Sequence, residues 1–307
     1  MESSRLPRFY RSSLPDAIQI TDRDREIIRL IYRHRFLRSS HISALVVGSR
    51  QQLLRRLQLL YHHGFLERPR AQLDYYYKGG SRQIAYGLGS KGRLVLKEEL
   101  GARYRELDWG DKNRSVGRIY LEHALFVSDV MVAIELACRS MGTIRLLTAD
   151  QITVGGEITR EHQSFRWRVS LSSTLKLGII PDRVFALTSV SGMPESGILF
   201  VLEADRGTMP IMRGGLSQTS MYRKFLTYSA TWSQSLHERL FGFRRFRVLT
   251  VTNSSERLSS LQDACSKLER GRGLFLFADR TIVEKPGGAL SAVWQTCVPG
   301  QTASLLE

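Results

Sequence analysis

Residues 179–208 read IIPDRVFALTSVSGMPESGILFVLEADRGT. Two apolar runs flank a Gly-, Pro- and Ser-rich turn from Ser189 to Gly197, the pattern of two strands joined by a loop. Asp182 heads the first strand, and Glu203 and Asp205 end the second. Strand side chains alternate faces, so Glu203 and Asp205 point one way and Leu202 and Ala204 the other. If the strands pair, Asp182 joins them and three carboxylates converge at one edge of a sheet. Carboxylates that close raise one another's pKa unless a cation sits among them. A hard divalent ion such as Mg2+ takes one or two carboxylates together with phosphate oxygens and waters. The pattern predicts a metal-dependent phosphodiesterase centre, with Asp182, Glu203 and Asp205 as ligands of Mg2+ or Mn2+. The plainer alternative is a set of solvated acids at strand ends, with Glu203 paired to Arg206 or Arg183.

Working outward, residues 119–139 form a long and mostly apolar helix. Glu122 and Asp129 are seven apart and share a face; Glu122 is an accessory acid that could reach the cluster, and His123 reads as a hydrogen-bonded core residue. Strands are expected at 144–147, around 152–158 and at 165–171, where Phe165, Trp167 and Val169 alternate with Arg166 and Arg168. Beyond the acids, 209–217 is a loop and Ser217 caps a helix to about Ser233, with Met221, Phe225, Tyr228 and Trp232 as its inward stripe. Lys224, four residues before Tyr228, could lean toward the strand ends to meet a phosphate or the attacking water. A strand at 246–252, a helix at 255–269 and a strand at 274–278 complete an α/β (α+β) domain over 119–285. The tail, 286–307, is rich in Gly, Ser and Ala and carries no pattern.

The charge sits elsewhere. The 307 residues carry a net +16, from 45 basic side chains of which 37 are Arg. Residues 1–110 hold 21 basic against 11 acidic groups, a net +10, so nucleic acid is sought there. Residues 1–20 read as a basic flexible arm, with Arg5, Arg8 and Arg11 available to phosphates. Thr21 and Asp24 resemble a capping box opening a helix that carries Ile27, Leu30 and Ile31. A short helix with Ile42, Leu45 and Val46 follows. Ser49 then caps a third helix with Leu53, Leu57 and Leu60 inward, which Gly64 ends. Phe65–Arg68, a basic aromatic loop and Ile84–Leu88 give strand, hairpin and strand, after which Ser90 caps a helix to about Leu100. Three helices and a β-hairpin make a winged helix-turn-helix over 21–100, whose third helix enters the major groove. Arg50, Gln51 and Arg55 are the expected base readers, with Gln58 on the same face. Arg56 and the wing residues Arg70, Lys78 and Arg82, with Tyr75–Tyr77, are expected on phosphates. Residues 101–118 read as a linker.

Cys138, Cys265 and Cys297 lie far apart without a CxxC pair, which argues against a zinc knuckle or a disulfide scaffold. No apolar run spans a membrane and no signal peptide opens the chain, so a bacterial cytoplasm is expected. There is no Walker loop and no HExxH. No Tyr stands beside a His cluster, which argues against a covalent phosphotyrosine route.

An Asp on one strand and ExD on the next, set among helices, resembles the PD-(D/E)xK restriction-endonuclease-like fold. Pro181-Asp182 matches its first motif. Glu203-x-Asp205 matches the second except at its last residue, where the family has Lys, a role that Arg206 or Lys224 would have to fill. Together with the winged helix, the segments ITDRDREIIRLI, RLQLLYHHGFLER, YLEHALFVSDV, PDRVFAL, VLEADRGT and YRKFLTY are similar to the plasmid replication-relaxation family and to MobC-type relaxases. The resemblance implies a Mg2+- or Mn2+-dependent nickase with Asp182, Glu203 and Asp205 on the metal and Lys224 as the catalytic or phosphate-binding cation. The rival is a non-catalytic DNA-binding regulator of transcription or replication built on a degenerate nuclease fold. Expected partners are double-stranded DNA at a plasmid transfer or replication origin, a second copy on paired half-sites as a homodimer, and mobilisation or replication proteins, with no membrane. A winged helix that instead binds protein is a third reading.

Overall fold

In a computed structural model the described residues are 7–12, 18–73, 83–101, 110–154, 159–161, 164–193, 196–283 and 288–306, with the backbone alone at 110–112, 159–161, 164 and 283. The chain is a mixed α/β protein of two compact units, residues 1–132 and 133–307.

In the N-terminal unit the order is α1 (Asp22–His34), β1 (Phe36–Arg38), α2 (Ser39–Leu45), α3 (Arg50–His62), β2 (Leu66–Glu67), β3 (Ala85–Leu88), α4 (Ser90–Leu100), α5 (Gly110–Ser115) and the first part of α6 (Arg118–Met141). The Thr21–Asp24 capping box is formed, satisfying helix-end donors reciprocally. Gly64, at φ 84°, ends α3. The Gly64 amide donates to Tyr61 O and the Phe65 amide to Leu60 O, a Schellman closure that needs the left-handed conformation. Ser49 stands at the N-cap of α3 but makes no side-chain cap bond, and Gly89, not Ser90, caps α4. The three strands form an antiparallel sheet in the order β1-β3-β2. Ile27, Ile31, Phe36, Leu57, Leu60 and Leu66 are fully buried among its helices and strands. Strand β1 escaped the sequence reading because three residues are too few to display a period of two.

Three expectations for this unit are corrected. Arg11 does not await phosphates in a loose arm: its guanidinium donates to Glu67 Oε1 at 2.5 Å and to Tyr61 O at 3.0 Å. Arg5 lies outside the described residues. The linker 101–118 contains helix α5, whose Asn113 is fully buried and donates to Leu88 O at 3.0 Å. The boundary read at 118/119 falls instead at 132/133, within α6.

The C-terminal unit centres on a seven-stranded sheet, order β13-β12-β11-β10-β9-β8-β4. Its strands are β4 (Ile144–Leu147), β8 (Arg183–Ser189), β9 (Ile198–Asp205), β10 (Arg245–Thr252), β11 (Phe275–Asp279), β12 (Trp294–Gln295) and β13 (Thr302–Ala303). A separate antiparallel sheet joins β5 (Thr159–Glu161), β6 (Ser164–Ser170) and β7 (Lys176–Ile179). Every residue of β9 is buried, as a near-continuous apolar run demands of a strand covered on both faces. It pairs antiparallel with β8 and parallel with β10, placing Glu203 opposite Thr250 and Asp205 opposite Thr252. Helices α7 (Met221–Ser233), α8 (Leu236–Phe241), α9 (Ser255–Ser266) and α10 (Gly288–Ser291) complete the unit. The α7 cap is Ser220, which accepts from the Arg223 amide, rather than Ser217. The segment 286–307 is no patternless tail: Trp294 and Leu305 are buried, and β12 and β13 extend the sheet. The expected hairpin near 152–158 falls partly on residues 155–158, outside the described set. No described helix is long and apolar enough to cross a membrane.

Candidate functional site

On α3 the residues separate by helical angle. Leu53, Leu57 and Leu60 are buried, while Gln51 and Arg55 are exposed and Gln58 half-buried on the opposite side, and Arg50 is exposed at the first position of the helix. Among the described residues the side chains of Arg50, Gln51 and Arg55 make no hydrogen bond or ion pair, so three extended polar groups stand ready on one turn-and-a-half of helix. Arg56 departs from its expected phosphate role. At 100° per residue it sits on the flank nearer Leu53 and Leu60, and its guanidinium forks onto Asp24, Nε to Oδ1 at 2.8 Å and Nη2 to Oδ2 at 2.5 Å. Asp24 is completely buried. Burial works against its charge, yet the hydrogen bonds from Arg56 and Thr21 more than offset this and hold its pKa below the ordinary value. We therefore expect Arg56→Ala to lower stability by about 2 kcal/mol, since it strips a charged partner from a buried acid. A thermal melt checks this; an unchanged melt with weakened DNA affinity would return Arg56 to the phosphates. Arg70 is exposed in a short 3-10 turn, and Lys78, Arg82 and Tyr75–Tyr77 lie outside the described residues.

In the C-terminal unit, the expected strand pairing brings Asp182 alongside the end of β9: its amide donates to Leu202 O at 3.1 Å and its Oδ2 accepts from the Ala204 amide at 2.8 Å. Glu203, 2% exposed, is held on both oxygens. Lys224 donates to Oε2 and Tyr228 to Oε1. Lys224 and Tyr228 are one turn apart on α7 and so face the same way. Tyr228, read from sequence as core, is both core and donor. Trp232, assigned to the same stripe, is instead 39% exposed. Burial pushes the Glu203 carboxyl up to about 7, against the pull of Lys224. Burial would depress the Lys224 ammonium, but the charges of Glu203 and Asp182 outweigh it and its pKa is raised. Burial and the Glu203 carboxylate together raise the Tyr228 phenol well above its usual value, so it stays protonated and donating.

Asp205 belongs to a different arrangement. Arg257, on α9, donates from Nε to Oδ2 at 2.7 Å and from Nη2 to Oδ1 at 3.1 Å. Thr252 adds a hydroxyl to Oδ2 at 3.1 Å, and the Gly207 amide donates to Oδ1 at 3.2 Å. Arg257 also donates to Met209 O. Nothing near Asp205 in the sequence announces Arg257, which lies 52 residues downstream; Ser254 caps α9 through the Arg257 amide, placing that residue in the first turn beside the strand ends.

Three carboxylates were expected to share one divalent cation, and the arrangement does not fit that. Both oxygens of Glu203 and both of Asp205 are occupied by protein donors, and Asp182 turns an oxygen to a backbone amide. Among the described residues no group of three His, Cys, Asp or Glu side chains is arranged to hold a metal. Glu122, the expected accessory acid, lies in the N-terminal unit and pairs with Arg118 at 2.9 Å. Asp129, on the same helix, takes Arg38 and, at 2.9 Å, His41. The Arg206 carbonyl accepts from Asn253 Nδ2 at 3.4 Å.

The displaced Glu203 titration gives a pH signature. Its folded pKa of about 7 exceeds the ordinary 4.5. Below 4.5 the acid is neutral in both states. Between about 4.5 and about 7 the unfolded chain ionises first, so this group's contribution to stability declines as pH rises. The melting-temperature advantage of the wild type over Glu203→Gln should shrink across that window; a constant difference would contradict the buried carboxyl.

No curated protein and no solved structure matches the chain significantly. The sequence pattern of the replication-relaxation family matches residues 28–243, from within α1 through α8. That membership suggests a role in plasmid replication or mobilisation. On this match the chain belongs to the replication-relaxation family.

Proposed function

We propose that the chain is a double-stranded-DNA-binding protein of a plasmid or mobile element, acting in its replication or mobilisation, which grips duplex with the outer face of α3. The observation that carries this is the exposed and uncommitted set Arg50, Gln51 and Arg55 on a helix whose other face is core. The order α1, β1, α2, α3, β2, β3 supports a winged helix-turn-helix, in which the third helix lies in the major groove. Arg reaches guanine O6 and N7 with two donors, and Gln reaches adenine N6 and N7. The net +10 of residues 1–110 supplies the phosphate attraction. Anisotropy of a labelled duplex against salt tests the reading. Binding should weaken steeply from 50 to 200 mM salt, by orders of magnitude if several phosphates are neutralised. Salt-independent binding or none would favour a protein partner for this unit.

In the C-terminal unit the reading is a nuclease-like fold whose acids Glu203 and Asp205 are paired with Lys224 and Arg257, with Tyr228 hydrogen-bonded to Glu203, acting as scaffold. A second reading, the Mg2+- or Mn2+-dependent nickase, is favoured by one observation: Asp182 lies close enough to raise both Glu203 and Lys224 electrostatically. Those three would be its acid–acid–lysine set, with Lys224 supplied from a helix rather than from the strand. Supercoiled DNA of the encoding element, incubated with either metal, decides between them. Nicking by wild type that Asp182→Ala abolishes at unchanged DNA affinity would overturn the scaffold reading.

A further inference from the structure

A cleft of about 560 Å3 opens in the C-terminal unit at the end of α7, lined by Trp232, Ser233, Ser235, His237, Arg244 and Arg270, with Glu238 and Gly271 beside them. This is within the size range of small-ligand sites, roughly 300–1,000 Å3. None of these residues takes part in the acid cluster or in α3. We infer that the cleft binds a single unpaired nucleotide unit, its base stacked on Trp232 and its phosphate on Arg244 and Arg270.

Four observations converge. First, Trp232 is 39% exposed, whereas Trp167 and Trp294 are buried; a partly exposed indole at a cleft wall is a surface on which a planar ring can pack. Only an unpaired base can use it, because paired bases are already stacked on both sides. Second, the cations are available. The Arg244 side chain is 88% exposed, and an acidic neighbour, Glu238, is 3.6 Å away and half-exposed. Such a pair is weak and yields to a phosphate. Third, the cleft is built rather than incidental. Ser229 Oγ donates to Arg270 O at 2.8 Å, and Gly271 turns at φ 72°, where a Cβ would stand 3.0 Å from Leu274 Cδ1 and 3.4 Å from Trp232 Cε3. The turn that presents Arg270 is thus pressed against the indole. Ser235 also adopts a left-handed φ of 52°, a conformation uncommon in non-glycine residues and enriched at functional sites. Fourth, His237, stacked on Phe246 at 5.3 Å, lies with Nε2 3.2 Å from Arg244 O. A carbonyl can only accept, so Nε2 carries a proton and donates it. Among the described residues Nδ1 is buried with no hydrogen-bond partner, so the imidazole is fixed in the cleft wall through Nε2 and its ring stack. Cation, ring and hydroxyl lining match the stacking-plus-charge design of single-strand sites.

The test uses the full chain with two probes, fluorescein-labelled dT12 and a labelled duplex, read by anisotropy at low salt. Trp232→Ala should weaken dT12 binding about tenfold, the order of one lost base stack, while Trp232→Phe retains most of it. Arg244→Ala/Arg270→Ala should also weaken it and flatten its salt dependence. Duplex affinity should stay within about twofold in all three variants. Arg50→Ala/Arg55→Ala should do the reverse, losing duplex and keeping dT12, so failure of the duplex reading and failure of the cleft are separable. Displacement of dT12 by dTMP would assign the cleft to free nucleotides, and resistance to dTMP to a strand. The inference is overturned if wild type does not bind dT12, if Trp232→Ala binds it like wild type, or if the loss falls equally on both probes.

Discussion

At pH 8, Lys224→Met should lower stability by about 3–5 kcal/mol, the range for removing one partner of a buried ion pair. The side chains of Lys224 and Glu203 are 14% and 2% exposed, so water cannot replace the missing ammonium, and methionine keeps most of the volume. Tyr228 would still donate to one Glu203 oxygen, which is why the protein should weaken rather than fail to fold. The loss should be smaller at pH 5, where the buried acid takes up a proton and needs no cation. The double variant Glu203→Gln/Lys224→Met should recover much of the single variant's loss, because it removes the stranded charge. Urea unfolding of the four proteins closes the cycle. A loss below about 1 kcal/mol at pH 8, with no pH dependence, would mean that the pair is solvated and the cluster open.

Arg50→Ala/Arg55→Ala should reduce affinity for the cognate duplex by at least about thirtyfold, since a bidentate arginine–base pair is worth roughly 1–3 kcal/mol. The melting temperature should not move: both side chains are exposed and neither supports the core. Gln51→Ala should relax preference at one position with a smaller drop. These variants contrast with Arg56→Ala, one position along the helix, which should melt early. A double variant that binds cognate and scrambled duplex as wild type does would remove α3 from the interface.

The inward Leu53, Leu57 and Leu60 of α3 and its outward Gln51 and Arg55 were legible in the sequence from the 3.6-residue period, whereas Arg56, expected on phosphates, is taken by Asp24. The pairing of residues 179–208, the burial of β9 and the capping of α1 could likewise be read from alternation and local side-chain chemistry. What could not be read was partner choice across long separations. Asp205 looks like a metal ligand from its neighbours, and only the folded chain brings Arg257 to it. Trp294 and Leu305 seem to sit in a Gly- and Ser-rich tail because β12 and β13 are two residues each, too short to show a pattern. Glu122 and Asp129 share a face as expected, but Arg118, Arg38 and His41 take them.

A hydroxyl-radical footprint of the full chain on the plasmid or element that encodes it tests the account most directly. The account predicts a discrete protected window at low salt that disappears in Arg50→Ala/Arg55→Ala and persists in Lys224→Met at a temperature where that variant is folded. A uniform cleavage pattern with wild type at low salt, or a window unchanged by the arginine variant, would contradict it.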